Sequence, residues 1–404
     1  MKTSRLFSMI AMALILCTFI GCTTYTPPAE TEAARPTNLP KSTSIPLTNM
    51  HQCAYPTGGG CPSSTSNGYY SGSMVLRYYD FGTKSRMTMC SQPGCTHSDN
   101  SCNAWLGKNC SYLEYQGNLY ATVENEADSS VQLICRNIQD NTVRVLDSWK
   151  NDEKNLYSAS ILCLSYPKMA VYTEQTSFEF LEVEDGYDQK YVSRLFVYDL
   201  DSGEKITFLP DVPFEQYRFY GFNDNHALVQ YCMAEPEQLT LIPEAENYIP
   251  KRELPYELRL YDMSDWSYDV IVSTEKDDYQ PLENYRNIYG TMTAYKLGND
   301  LYSYDLASGQ ATKLAMAKNI LDYFVMDGNL FYTIKENDEY TFWYVPLSGG
   351  TPVMFQNNGN KKFREFTPYW EGNGFFWGHR SGGDCVISKE DFYAEHYENA
   401  VPAA

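Results

Sequence analysis

The feature that most constrains this chain is a unit that recurs from Asn67 to the C-terminus. Its first half is a turn followed by an aromatic strand: Gly117-Asn118-Leu119-Tyr120, Gly328-Asn329-Leu330-Phe331-Tyr332 and Gly372-Asn373-Gly374-Phe375-Phe376-Trp377. Its second half is an alternating strand that ends in Tyr-Asp, then a turn and another strand. The clearest copies run from Leu195 through Tyr198-Asp199 to Gly203 and from Leu301 through Tyr304-Asp305 to Gly309. Weaker copies are Leu260-Tyr261-Asp262, Tyr79-Asp80 and Trp343 to Gly350, and Asn137 to Asn141 is a diverged turn. Period-two alternation of Tyr, Val and Leu makes half-buried strands. An Asp closing a strand can accept from backbone N–H groups of the turn, and the later Gly tolerates positive φ.

Seven such hairpin units fall near 67–90, 115–147, 168–209, 222–273, 286–315, 326–355 and 370–388. The span 67–404 divided by seven gives about 48 residues each, the size of a four-stranded propeller blade. The expected fold is therefore all-β: a β-propeller of six to eight blades, seven fitting best. A pair of β-sandwiches is the alternative, since it also uses short strands with regular turns. The repeat resembles that of TolB-like β-propellers. From Asn67 to Ser388 the chain resembles, more closely, the surface propeller lipoproteins of Gram-positive anaerobes. The resemblance implies the fold; fold alone carries no function.

The N-terminus sets an expectation for compartment. Lys2 and Arg5 precede Leu6 to Ile20, an uncharged apolar stretch of fifteen residues. That is short for a membrane span, which needs about 20 apolar residues, and suits a signal peptide. Phe19-Ile20-Gly21-Cys22 resembles the lipobox of bacterial lipoproteins, which implies lipidation at Cys22 and removal of residues 1–21. Cleavage removes two basic residues and no acid, taking the net charge from -20 to -22. Residues 22–66, rich in Thr, Ser and Pro, are expected to be a disordered tether, with the propeller at 67–404. The expected location is the extracytoplasmic face of the cell membrane.

Between the first two hairpins lies a Cys/His loop at 90–110. Cys90, Cys95, His97 and Cys102 offer three sulfurs and an imidazole within thirteen residues, with Cys110 close behind. These are the donors that tetrahedral zinc prefers. A similar run occurs in the lipoproteins just named. Disulfides are the competing account: Cys53, Cys61, Cys90, Cys95, Cys102 and Cys110 allow about 15 pairings in an exported chain. Either cross-link would staple a loop with little core of its own. No other cofactor is expected. Cys135, Cys163, Cys232 and Cys385 stand in strand-like contexts and are expected to be small buried hydrophobes.

Signatures of chemistry are missing. The sequence has no G-x-S-x-G, no H-E-x-x-H, no P-loop and no dinucleotide fingerprint. His51, His226, His379 and His396 show no spacing that fits a triad. The run Glu182, Glu184, Asp185 and Asp188, like Asp277-Asp278, reads as solvated acidic loop, with calcium binding as the sharper alternative. Of the aromatic residues most should pack between blades, while Tyr279, Tyr285, Tyr289, Tyr369 and Trp370 could line a propeller mouth. The expected function is a ligand- or protein-binding module without catalysis, in monomeric form. Its partners would be the membrane, through the lipid, and a protein, peptide or glycan. A net charge of -20 argues against nucleic acid, whose phosphates call for Lys and Arg. The alternative is a carboxylate-dependent glycosidase or lyase acting at the central pocket.

Overall fold

The computed structural model describes residues 50–52, 63–64, 68–233, 255–274 and 288–402, apart from gaps at 73, 91, 108–109, 184–185, 224, 338, 357–364, 373 and 381–382. All of these belong to one compact unit, Ser42–Ala404. Seven antiparallel sheets follow one another along the chain. Blade 1 is β2 to β5 (Ser63–Ser64, Gly68–Ser71, Arg77–Asp80, Ser85–Thr88) and blade 2 is β6 to β9 (Ser111–Tyr115, Asn118–Asn125, Ser130–Asn137, Val143–Lys150). Blade 3 is β10 to β13 (Asn155–Ser165, Lys168–Val183, Gly186–Asp199, Lys205–Thr207) and blade 4 is β14 to β17 (Tyr217–Asn223, His226–Cys232, Tyr256–Asp262, Tyr268–Thr274). Blade 5 is β18 to β21 (Ile288–Tyr289, Met292–Leu297, Asp300–Asp305, Gln310–Met316). Blade 6 is β22 to β25 (Ile320–Met326, Asn329–Glu336, Glu339–Pro346, Val353–Met354). Blade 7 is β26 to β29 (Thr367–Gly372, Phe375–Arg380, Gly383–Ser388, Val401–Pro402), with a five-residue helix α1, Lys389–Tyr393, after β28. The chain is a seven-bladed propeller of four-stranded blades, as the repeat count predicts.

Burial orders the strands within each blade. The first strands touch one another around the ring, β26 to β2 to β6 to β10 to β14 to β18 to β22, so they face the axis. Of these, β6 and β22 are largely buried, whereas the last strands β9, β17 and β21 are mostly exposed. Apolar clusters fill the seams between neighbouring blades. Leu113, Leu133, Ile161 and Val171 join blades 2 and 3, for example, and Phe331, Phe342, Phe366 and Phe376 join blades 6 and 7. Most of the aromatic surplus is spent here.

The turns repeat one device. Asp199 accepts from the N–H of Asp201 and Ser202 at 3.1 and 2.8 Å, and Gly203, at φ 76°, returns its N–H to the Asp199 carbonyl at 2.8 Å. Asp305 and Gly309 do the same, and so do Asp262 with Trp266 and Asn137 with Asn141. Asp80 accepts from Thr83 N–H at 2.6 Å ahead of Lys84, also at positive φ. These bonds favour the ionised carboxyl. The N–H of Thr83 and Ser202 lowers Asp80 and Asp199, and the hydroxyls of Ser264 and Ser308 lower Asp262 and Asp305. A carboxyl depressed on folding adds stability that is complete above its unfolded value, about pH 4, and lost as pH falls through its folded value. The urea midpoint should therefore drop between pH 5 and pH 3. A variant with all four Asp changed to Asn, which makes the same turn, should show a shallower drop; an identical slope would contradict the assignment.

Two strands lie upstream of Asn67, inside the stretch expected to be tether. Ser63–Ser64 supplies the inner strand of blade 1, and β1, Met50–Gln52, pairs with the free inner edge of β10 (Met50 opposite Ser165, Gln52 opposite Cys163) and touches β14. The inner edge of a blade carries unpaired N–H and C=O groups, and a polar segment with no pattern of its own can satisfy them. Residues 1–49, with Cys22, fall outside the described residues. Among those described, no helix is long and apolar enough to cross a membrane.

Among the described residues the ring closes without strand exchange, because the strands of blade 1 and of blade 7 each follow one another in sequence. Side chains close it instead. Tyr69, Tyr79 and Phe81 pack on Val386, Phe375, Trp377 and Val401. The Phe81 and Phe375 rings stack at 4.6 Å, and Tyr69 lies 6.1 Å from Trp377.

Candidate metal centre

The Cys/His loop connects the outer strand of blade 1 to the inner strand of blade 2. Both legs are tied to residues 74–76. Met89 N–H donates to Leu76 O at 3.0 Å, Leu76 N–H to Ala104 O at 2.8 Å, and Leu106 N–H to Met74 O at 2.8 Å. Local turns do the rest: Cys102 N–H reaches Asp99 O at 3.1 Å, and the Asp99 carboxylate caps Ser101 N–H at 2.9 Å. His97 stands at φ 57°, and its Nδ1 lies 3.2 Å from Cys102 Sγ. A left-handed conformation costs a non-glycine residue about 1–2 kcal/mol, which the surrounding turns have to supply.

The donor atoms of Cys90, Cys95, His97 and Cys102 all lie within 4.8 Å of one another. Sulfurs bound at about 2.3 Å to a tetrahedral zinc stand about 3.8 Å apart, so the set matches such an ion. None of the eight described cysteines is in a disulfide. Cys53 and Cys61 fall outside the described residues. Peptide N–H groups converge on the sulfurs: Ala104 N–H donates to Cys102 Sγ at 3.3 Å, and Gln92 and Asn103 N–H to Cys90. Burial works against a Cys90 thiolate, but Gln92 N–H with the Cys102 and Cys95 thiols outweighs it and holds that thiol below its usual value. Burial pushes the Cys102 thiol up to about 11.

Arg136, from β8, is a neighbour that the spacing of cysteines could not reveal. Its guanidinium donates to Asn103 O at 2.5 Å, and burial lowers its basicity. Cys110 stays out of the donor set; it is buried in the same seam, with its thiol pushed up to about 11. Cys163, Cys232 and Cys385 are buried and Cys135 half-buried, in keeping with small core residues.

The other expected site residues do not converge. Glu182 and Asp188 lie on the β11–β12 hairpin, whose pairing continues to Val183 opposite Gly186, past the start of β10 at Asn155, while Glu184 and Asp185 fall outside the described residues. Asp277, Asp278, Tyr279 and Tyr285 fall outside the described residues, as does the side chain of Trp370. Tyr289, half-buried, packs against the core of blades 4 to 6. Tyr369 is 43 % exposed and touches Trp377 at 5.6 Å. His379 pairs with Asp384 at 3.4 Å and His396 with Asp391 at 3.8 Å, both on the surface. A cleft of about 360 Å³ lies where blade 3 passes into blade 4, lined by Arg194, Leu209, Asp211, Phe214 and Tyr217 among others.

One buried polar cluster escaped the sequence entirely. Lys389, 2 % exposed, places Nζ 2.7 Å from Asp327 Oδ1 and 3.4 Å from Glu371 Oε2. The Tyr393 hydroxyl donates to Asp327 Oδ2 at 2.9 Å, and Asn329 Nδ2 donates to that hydroxyl at 3.0 Å. Burial, then the Asp327 charge, hold Tyr393 neutral. Its members satisfy one another and bridge blades 6 and 7.

No family model matches the sequence, and no curated protein matches it. Similar solved structures include Porphyromonas gingivalis dipeptidyl peptidase 4, at 11 % identity and TM-score 0.46, over 84 % of this chain and 59 % of that one. This chain therefore spans less than two thirds of that protein. An oligogalacturonate lyase in complex with manganese gives 10 % identity and TM-score 0.45, over 84 % of this chain and 89 % of that one. The β-propeller domain of the Trilobed protease from Pyrococcus furiosus, described as having an open velcro topology, gives 9 % identity and TM-score 0.43, over 88 % and 99 %.

Proposed function

We propose that this chain is a lipid-anchored, extracytoplasmic β-propeller that binds a ligand or protein partner without turning it over. Membership of the surface propeller lipoproteins of Gram-positive anaerobes is part of the same proposal. The anchor is Cys22, supported by the basic start, the apolar stretch from Leu6 to Ile20 and Gly21 before the cysteine. Propellers present loops on a rigid ring, which suits recognition. The observation that carries a binding role over a central-pocket enzyme is β1. Met50–Gln52 pairs along the inner edge of blade 3 and lies against the inner strand of blade 4, so the chain takes up axial space in which a glycosidase or lyase would seat its substrate.

Two measurements test this. Cys22→Ser should move the protein from the membrane fraction to the soluble one; retention in the membrane would overturn the anchor. The chain lacking its first 22 residues, screened against cell-wall glycans and secreted peptides, should retain a ligand that is recovered intact. Recovery of shortened glycan or peptide would overturn the binding role.

A further inference from the structure

We propose that Cys90, Cys95, His97 and Cys102 hold one structural zinc ion, and that this ion locks blade 1 onto blade 2 in a ring that lacks strand exchange. Four donors within 4.8 Å of one another match in number and type the Cys₃His set of a structural, tetrahedral zinc. Charge separates the ion from a disulfide. Zinc with three thiolates and a neutral imidazole carries one net negative charge, and the Arg136 guanidinium, anchored on the carbonyl of Asn103 next in sequence to Cys102, brings a cation to the loop. Peptide N–H groups from Gln92, Asn103 and Ala104 disperse the same charge on Cys90 and Cys102. A disulfide would use two of the three sulfurs, leave the third without a partner and offer no anion for the Arg136 cation to balance.

The need for a lock follows from blade 1 itself. Its strands have only two, four, four and four residues, so its ladder is the shortest among the described strands. As an end blade in an open ring it borrows no strand from blade 7. The loop compensates on the other side. Its two legs bond to residues 74–76 of blade 1, Val75 bridges Trp105, and Cys102, Ala104 and Leu106 are buried with Tyr112, Leu119 and Ile134 of blade 2. Fixing the sulfurs on an ion fixes these legs, and with them the seam.

The full chain purified under reducing conditions should contain about one zinc per molecule by elemental analysis. Cys102→Ser should lose it, and Cys135→Ser should keep it. Arg136→Gln, which leaves every donor in place, should weaken zinc about tenfold in competition with a chromophoric chelator. Stripping the metal should speed amide exchange in residues 68–88 and 111–125 while leaving 288–316 unchanged. A chain free of zinc with these cysteines paired in the unreduced mass spectrum would overturn the site. Zinc bound with unaltered affinity in Arg136→Gln would overturn the charge argument. Exchange in blade 1 that ignores metal removal would overturn the lock.

Discussion

Replacing Lys389 with Met is expected to destabilise the protein by about 3–5 kcal/mol, because removing one partner of a buried ion pair leaves the other uncompensated. Here two carboxylates lose their cation at once. Asp327 is 5 % exposed and Glu371 11 %, and the hydroxyl of Tyr393 with the amide of Asn329 can solvate Asp327 only in part. Spread over an unfolding entropy of about 2 cal/mol/K per residue, the loss corresponds to roughly 5 °C in Tm. The companion Asp327→Asn change should recover about half of it. Asn carries no charge, and it tolerates the positive φ of 51° that position 327 adopts. Calorimetry on the single and double variants checks this. A loss under about 1 kcal/mol in Lys389→Met would mean that water reaches the pair and the bridge between blades 6 and 7 contributes little.

Phe81→Ala is expected to cost a similar amount, about 3–5 kcal/mol for a large aromatic removed from a packed site, but with a different distribution. Phe81 is 5 % exposed and stacks on Phe375 across the only seam in the ring that joins the two ends of the folded chain. Its cluster is small, with Tyr69, Tyr79 and Val386 as the other buried members. Without strand exchange, this packing and the contact of the neighbouring inner strands β2 and β26 carry much of the hold of blade 7 on blade 1. The loss should therefore appear as local opening. Amides in residues 68–81 and 375–387 should exchange about 100-fold faster, matching roughly 3 kcal/mol, while blades 4 and 5 stay protected. Uniform acceleration in every blade would show that the ring opens only by global unfolding.

Much of this architecture is legible in the residues because propeller hairpins advertise themselves. Asp199 to Gly203 and Asp305 to Gly309 carry their turn geometry in their own side chains, and the alternating strands beside them supply the count of seven. What the repeats hide is the inner strand of most blades. Ser111–Tyr115, Tyr217–Asn223 and Ile320–Met326 fall outside the hairpin units read from sequence except for their last one or two residues. Strands buried on both faces have no alternation to show. Met50–Gln52 is hidden for the opposite reason, since its backbone is recruited by the edge of β10 and its side chains need no pattern. At the candidate site the ligand types and spacing name Cys90, Cys95, His97 and Cys102 directly. Arg136 and the Lys389–Asp327 pair cannot be found that way, because they are brought together across 33 and 62 residues by the closing of the ring.

Two proposals meet in one molecule: a lipid anchor at Cys22 and a zinc ion held by Cys90, Cys95, His97 and Cys102. Native mass spectrometry of the full-length gene product, extracted from membranes in detergent, tests that combination most directly. The account predicts a chain that begins at Cys22, carries the added mass of acyl groups there, and retains one zinc ion with its thiols reduced. A chain of unmodified mass, or one without zinc and lighter by two protons for each disulfide formed, would contradict it.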